Sequence, residues 1–334
     1  MVVGCEMKSV KVLAVALGLT CSTGAYAADT IRIMAPVWSG FAPVFVAQDM
    51  GCFHDANLNV DLKFADERAD VMAAMAHGSI EMEMRTISEY QGRPRDNDTP
   101  GVIIGPIDRS MGGDGVVVDG AIHDVTELKG KTIASESNVP GLMLLQLELH
   151  KHGMSLADMK IKEILTSDSV AVFADTSLAA VVTYQPFLQQ IMSIDEARKP
   201  KVLVSSADYP DYIVDVMIAR NDDLAANPGK YSRFLSCIYK AVDYHKTHNA
   251  EFARMAAPHF NLSVDDFQKS INGSLEYTGL EQSSAYMGTP QKPGPINGIF
   301  NTLMDLNVEN GAASVKLDAT RAINSAPIAA LSTP

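Results

Sequence analysis

Several things are scarce in this chain, and each scarcity narrows what it can be. Basic residues are few: 27 Lys and Arg against 40 Asp and Glu give a net charge of −13 over 334 residues. That balance disfavours general attraction to nucleic acid or to an anionic membrane surface. Cysteine occurs only 4 times, and no cluster of Cys and His has metal-ligand spacing. The 8 His residues are scattered. His150 and His152 share a helix pattern but stand two apart, where side chains do not face each other. No apolar run approaches the ~18 residues of a membrane span. Tryptophan occurs once, as Trp38.

What is present begins with a leader. Lys8 and Lys11 form a charged start, Val10 to Leu19 an apolar centre, and Ala25-Tyr26-Ala27 an A-x-A cleavage site. Residues 1–27 are therefore expected to be a signal peptide cut after Ala27, leaving a periplasmic mature chain. Leu19 and Thr20 are misplaced for a lipobox ending at Cys21. Losing Glu6, Lys8 and Lys11 makes the mature chain more negative by one unit. Cys52 and Cys237 then remain. An oxidising compartment would let them pair, yet both lie in apolar runs and read more plainly as two small buried residues.

With 47% hydrophobic and 20% charged residues, the composition is that of a globular protein, and the length exceeds a comfortable single core. Strand and helix patterns alternate: strands at 30–34, 59–64, 81–84 and 102–107, helices at 43–49 and, capped by Asp66 or its neighbour and closed by Gly78, through Val71, Met72 and Met75. The rhythm resumes after Gly112-Gly113-Asp114-Gly115, with strands at 116–118, 132–134, 161–165, 179–183 and 202–205 and helices at 140–152 and 169–173. A strand at 213–219 is expected to return to the first lobe, followed by helices at 231–248, 252–257, 264–271 and 296–306. The Ala/Ser/Thr/Pro-rich tail after Ala312 is expected to pack loosely. The pattern predicts an α/β fold with a discontinuous lobe one, 28–113 with 214–334, and a lobe two, 114–213. Two lobes joined by two crossings enclose a cleft faced by strand-to-helix loops. One such loop, Ser135-Glu-Ser-Asn138, leads into a helix opened by Pro140 and stopped by Gly153. Its free N–H groups and positive dipole end suit a small anion.

Five runs together resemble the periplasmic solute-binding proteins of taurine, nitrate, aliphatic-sulfonate and thiamine-precursor ABC importers. They are Trp38-Ser-Gly-Phe-Ala-Pro43 with Gln48-Asp-Met-Gly-Cys-Phe53, Asp114-Gly-Val-Val-Val118, Leu128-Lys-Gly-Lys-Thr-Ile-Ala134, Thr183-Tyr-Gln-Pro-Phe187 and Ser205 to Arg220. They cover most of residues 30–220. The resemblance implies a two-lobe periplasmic-binding-protein fold of type II, with mixed sheets flanked by helices and two hinge crossings. It implies no cofactor, a monomer, and two partners: a small-molecule ligand and a membrane permease. It places ligand contacts at Trp38, Ser39, Gly40, Phe41, Arg85, Thr86, Ser137, Asn138, Pro140, Tyr184, Gln185 and Asp215. Gln185 stands where taurine-type members tend to carry a carboxylate, which leans toward an anionic or neutral polar ligand.

Each position also has a plainer reading. Trp38 is either an aromatic wall or a lobe-interface residue. Arg85 is either a clamp on a ligand oxygen or a salt-bridge partner of Glu83 or Glu89. Ser137 and Asn138 would cap a helix in any case. Tyr184 would sit at the end of a strand. Asp215, an acid inside an apolar run, needs a partner and leans structural; Asp114 in the Gly-rich crossing carries the same ambiguity. Against the solute receptor stand a ligand sensor for a membrane receptor and an enzyme on the same architecture. Cys52 beside His54 is the one candidate nucleophile, and it lies away from the cleft loops.

Overall fold

The computed structural model describes residues 1–4, 27–194 and 198–331, so the leader expected over 1–27 lies almost wholly outside the described residues. Apart from a two-residue hairpin pair at Gly288–Thr289 and Lys292–Pro293, the strands in chain order are β1 (Asp29–Ala35), β2 (Leu58–Phe64), β3 (Met82–Thr86), β4 (Val102–Ser110), β5 (Asp114–Val118), β6 (Thr132–Ser135), β7 (Lys160–Glu163), β8 (Leu178–Tyr184), β9 (Lys201–Ser205), β10 (Val214–Ala219) and β11 (Leu275–Tyr277). They form two mixed sheets. The first runs β11-β4-β10-β3-β1-β2 and the second β7-β6-β8-β5-β9. The chain passes from the first sheet to the second between Ser110 and Asp114, and back between Ser205 and Val214.

Local sequence explains the elements. In β1, Ile31, Ile33 and Ala35 are buried while Arg32 faces out, the period of two that a pleated strand imposes. The long helix Pro228–Thr247 opens on Pro and buries Phe234, Ile238, Ala241 and Val242 along one face. Phe53 stacks on Phe234 at 5.6 Å between ring centres. That packing brings Cys52 and Cys237 to a Cα separation of 5.7 Å, and they form a disulfide. Two unpaired buried thiols were the plainer expectation. Apolar periodicity puts both residues in the core but does not reveal that two helices from opposite ends of lobe one meet there.

Other expectations are corrected. The tail after Ala312 is docked: Leu317, Ala322 and Ile328 are buried, and Ile323 bridges to Ile103 of β4. Its apolar residues are few but correctly spaced to cover the sheet edge. By contrast, the helix expected to be capped by Asp66 or its neighbour begins at Arg68 with Glu67 as N-cap, as expected, and Asp66 accepts from Ser167 Oγ at 2.8 Å. Strand β11 and the short helix Phe187–Met192 carry too few residues for a periodicity to register.

The helix Pro140–Lys151 lies close on the second sheet because two glycines meet there. A Cβ at Gly141 would stand 2.7 Å from Val182 Cγ1 and 3.1 Å from the Gly115 carbonyl oxygen. Gly141→Ala is expected to cost about 1–3 kcal/mol of unfolding free energy by overpacking. A urea denaturation midpoint equal to that of the wild type would refute this contact.

Candidate functional site

Strand register builds the site. In the first sheet, Asp215 of β10 pairs with Thr86 of β3 on one side and with Asp108 of β4 on the other. Asp108 in turn pairs with Tyr277 of β11. In the second sheet, Asp114 opens β5 directly opposite Tyr184, the last residue of β8. The crossings are pinned together by Ser206, whose hydroxyl bonds Ser110 Oγ at 2.7 Å and accepts from Gly112 N–H at 2.6 Å. Gly112 has φ 121°, a conformation that excludes most side chains. At Gly113 a Cβ would meet Trp38 Cη2 at 2.6 Å, so only glycine leaves room for the indole.

These rows enclose a small cavity between the sheets, lined by Pro36, Trp38, Thr86, Glu89, Asp114, Pro140, Tyr184 and Asp215. Six of the thirteen residues expected to touch ligand come together here: Trp38, Thr86, Asp114, Pro140, Tyr184 and Asp215. Its volume is about 10 Å³, room for about one water. Trp38 and Tyr184 meet edge to face at 6.1 Å. The indole Nε1–H donates to both Asp108 oxygens, at 3.1 and 3.2 Å. Glu89 is held in a capping box with Thr86, whose backbone N–H donates to Glu89 Oε2 at 3.0 Å.

The other expected residues lie elsewhere. Ser39 and Phe41 are buried in lobe one, and Ser39 Oγ bonds Ser270 Oγ at 3.0 Å. Gly40 packs tightly beneath Trp38 and Asp108. Gln185 serves the crossing: its N–H donates to the Gly113 carbonyl at 2.9 Å, and its Oε1 accepts from Gln189 N–H. Arg85 is 1% exposed, flanked by Glu89 at 3.7 Å and Glu83 at 3.9 Å, and does not line the cavity. Ser137 and Asn138 are not caps. The N-cap is Val139, without a side-chain cap bond. Ser137 donates through N and Oγ to Glu163, which takes the N–H that an anion would have needed. Asn138 has φ 65° and an unpartnered Nδ2. Both face an outer groove of about 750 Å³ that also carries Arg68 and Arg93 against Glu67, Glu136 and Glu163.

Asp108, Glu89 and Pro36 were not expected. Asp108 lies inside an apolar strand, and only the register with Asp215 reveals its place. The electrostatics follow from crowding. Burial pushes the Asp114 carboxyl up to about 7, and the charge of Glu89 adds to the shift. Burial lifts Asp108 to about 8, with the Trp38 hydrogen bond opposing and Asp114 reinforcing. Asp215 is raised well above the usual range by burial and then by Asp108 and Asp114. Because Asp108 holds the indole N–H and burial raises its carboxyl, the emission of the lone Trp38 is expected to change well above the usual carboxylate range, between about pH 6 and 9. A flat fluorescence titration from about pH 6 to 9 would contradict that coupling.

The NMT1/THI5-like family profile matches residues 38–251. A candidate binding protein of Brucella abortus (strain 2308) is 25% identical over 327 residues, covering 93% of this chain and 96% of that protein. The alkanesulfonate-binding protein SsuA of Xanthomonas axonopodis pv. citri, bound to MOPS, superposes with a TM-score of 0.72 at 14% identity, covering 89% of this chain and 98% of that one. The periplasmic nitrate-binding protein NrtA of Synechocystis PCC 6803 gives 0.73 at 13% identity, covering 91% and 89%. With its two mixed sheets, double crossing and interlobe cavity, the chain belongs to the NMT1/THI5-like family and has the two-lobe fold of the periplasmic binding proteins of taurine- and nitrate-type ABC importers.

Proposed function

We propose that this protein is the extracytoplasmic solute-binding component of an ABC importer, working as a monomer without catalysing a reaction. Exported through its leader, it closes its lobes on a small polar solute and presents the closed form to a membrane permease. The observation that carries this reading is the cavity itself, walled from both sheets at the double crossing. At about 10 Å³ it admits a solute only if the lobes part, and a solute touching both walls then stabilises closure. Contacts across the lobes, such as Asn310 Nδ2 to Gln146 Oε1 at 2.7 Å, hold the closed form. The Cys52–Cys237 disulfide suits an oxidising compartment and removes the one thiol considered as a nucleophile.

The test is a thermal-shift screen of the mature chain against a library of small polar solutes, followed by small-angle scattering. A binding solute should raise stability by ~3 kcal/mol at a hundredfold excess over Kd, compact the protein, and be recovered unchanged. Turnover of the bound solute, or no response to any solute in the library, would count against the proposal.

A further inference from the structure

The charged side chains that line the inner cavity are all acidic: Glu89, Asp114 and Asp215, with Asp108 directly behind. Arg85 does not line the cavity: it lies 3.7 Å from Glu89, its charge reaches Tyr184, and its Nε and Nη2 have no hydrogen-bond partner. Glu89 is already engaged by Thr86 and Arg85. Asp114 and Asp215, 3% and 4% exposed, have no cationic partner. Tyr184, 7% exposed, lines the same cavity, and the charges acting on its hydroxyl are those of Glu136, Glu89, Asp66 and Arg85. Buried carboxylates without a counter-charge are costly. The indole of Trp38 and the ring of Tyr184 complete the wall, and aromatic faces attract organic cations. No group of three or more His, Cys, Asp and Glu among the described residues has the arrangement of a metal site, so a bare divalent ion is not what the lining matches.

We infer that the solute carries a cationic group, an ammonium or an amidinium, and that this group is seated between Asp114 and Asp215 against the Trp38 and Tyr184 rings. The inference rests on the solute-binding reading and gives it a charge opposite to the one that Gln185 and Arg85 suggested. Glu89 and Asp108 supply the surrounding negative field, and the Tyr184 hydroxyl supplies a hydrogen-bond acceptor. Burial and neighbouring acids raise these carboxyls, so in the unliganded protein protons take the place of the cation. The mixed lining of the outer groove leaves room for the remainder of the molecule.

The experiment compares probes matched in shape and opposite or neutral in charge. Choline is set against 3,3-dimethyl-1-butanol, benzamidine against benzoate, and ethylammonium against ethanesulfonate, each by thermal shift and calorimetry. At least one cation is expected to raise Tm by about 3 °C or more at millimolar concentration while its partner does not. Asp215→Asn should weaken that binding by at least about tenfold, and Asp114→Asn should do the same. Asp61→Asn, on the exposed face of β2, should leave it unchanged. Stabilisation by the anions and not the cations would overturn the cation and leave solute binding standing. No response to any of the cations would also overturn it, and solute binding would then be decided by the unbiased library.

Discussion

Replacing Asp114 with Asn will stabilise the unliganded protein above neutral pH, and the gain will fade as the solution is acidified. The folded-state carboxyl titrates at about 7 against 3.8 in the unfolded chain. A raised acid binds its proton more tightly when folded, so the proton-linked stability is full below 3.8 and is lost as pH rises through 7. Asparagine keeps the shape and never ionises. Three pKa units correspond to ~4 kcal/mol, and relaxation around the site brings the expected gain to about 2–4 kcal/mol at pH 8. Below about pH 4 the two proteins should be nearly equal. Burial is the main cause of the Asp114 shift, the Ser110 hydroxyl opposes it and the charge of Glu89 adds to it, while Asp108 and Asp215, raised further still, remain protonated as Asp114 ionises. Urea unfolding of both proteins across this range is the measurement. A gain that does not depend on pH, or a loss at pH 8, would show that the carboxylate is satisfied when ionised. A residue whose removal strengthens the fold is the mark of a site kept for binding.

Removing the disulfide will have the largest effect on stability. Cys52 and Cys237 are separated by 185 positions, and the loop they close contains the whole second sheet. The chain-entropy relation gives a ceiling of about 5 kcal/mol for so long a loop, and native disulfides commonly contribute 2–5 kcal/mol. The Cys52→Ser, Cys237→Ser double variant should therefore melt several degrees lower than the wild type. The same drop should appear when the wild type is scanned with a reductant. Solute affinity, measured well below the melting temperature, should not change, because neither Cys52 nor Cys237 lines the cavity. Identical melting curves with and without reductant would refute the role.

The α/β alternation was legible because each strand and helix is a local pattern of two or 3.6 residues. Ile31, Ile33 and Ala35 are read correctly without knowing what they pack against. The resemblance of scattered runs carried the two-lobe fold. The site was half legible. Trp38, Tyr184 and Asp215 could be picked out as a lone indole, a strand-end phenol and an acid in an apolar run. Asp108 could not, because its meaning lies in a cross-strand register that no linear pattern records. Arg85 keeps both of its readings: Glu83 and Glu89 stand 3.9 and 3.7 Å away, yet its Nε and Nη2 have no hydrogen-bond partner. The helix at Pro140 offered free N–H groups on paper, but Glu163, 26 positions on, had already occupied the Ser137 N–H.

The outer strands decide how crowded this molecule can safely become. β7, at one edge of the second sheet, reads Lys160-Ile161-Lys162-Glu163 and is exposed along its full length. β2, at one edge of the first, turns Asn59, Asp61 and Lys63 outward. Charges on an open edge penalise a second copy that tries to add its own strand. Wherever copies of this chain meet, these few residues keep the encounter from growing into an aggregate.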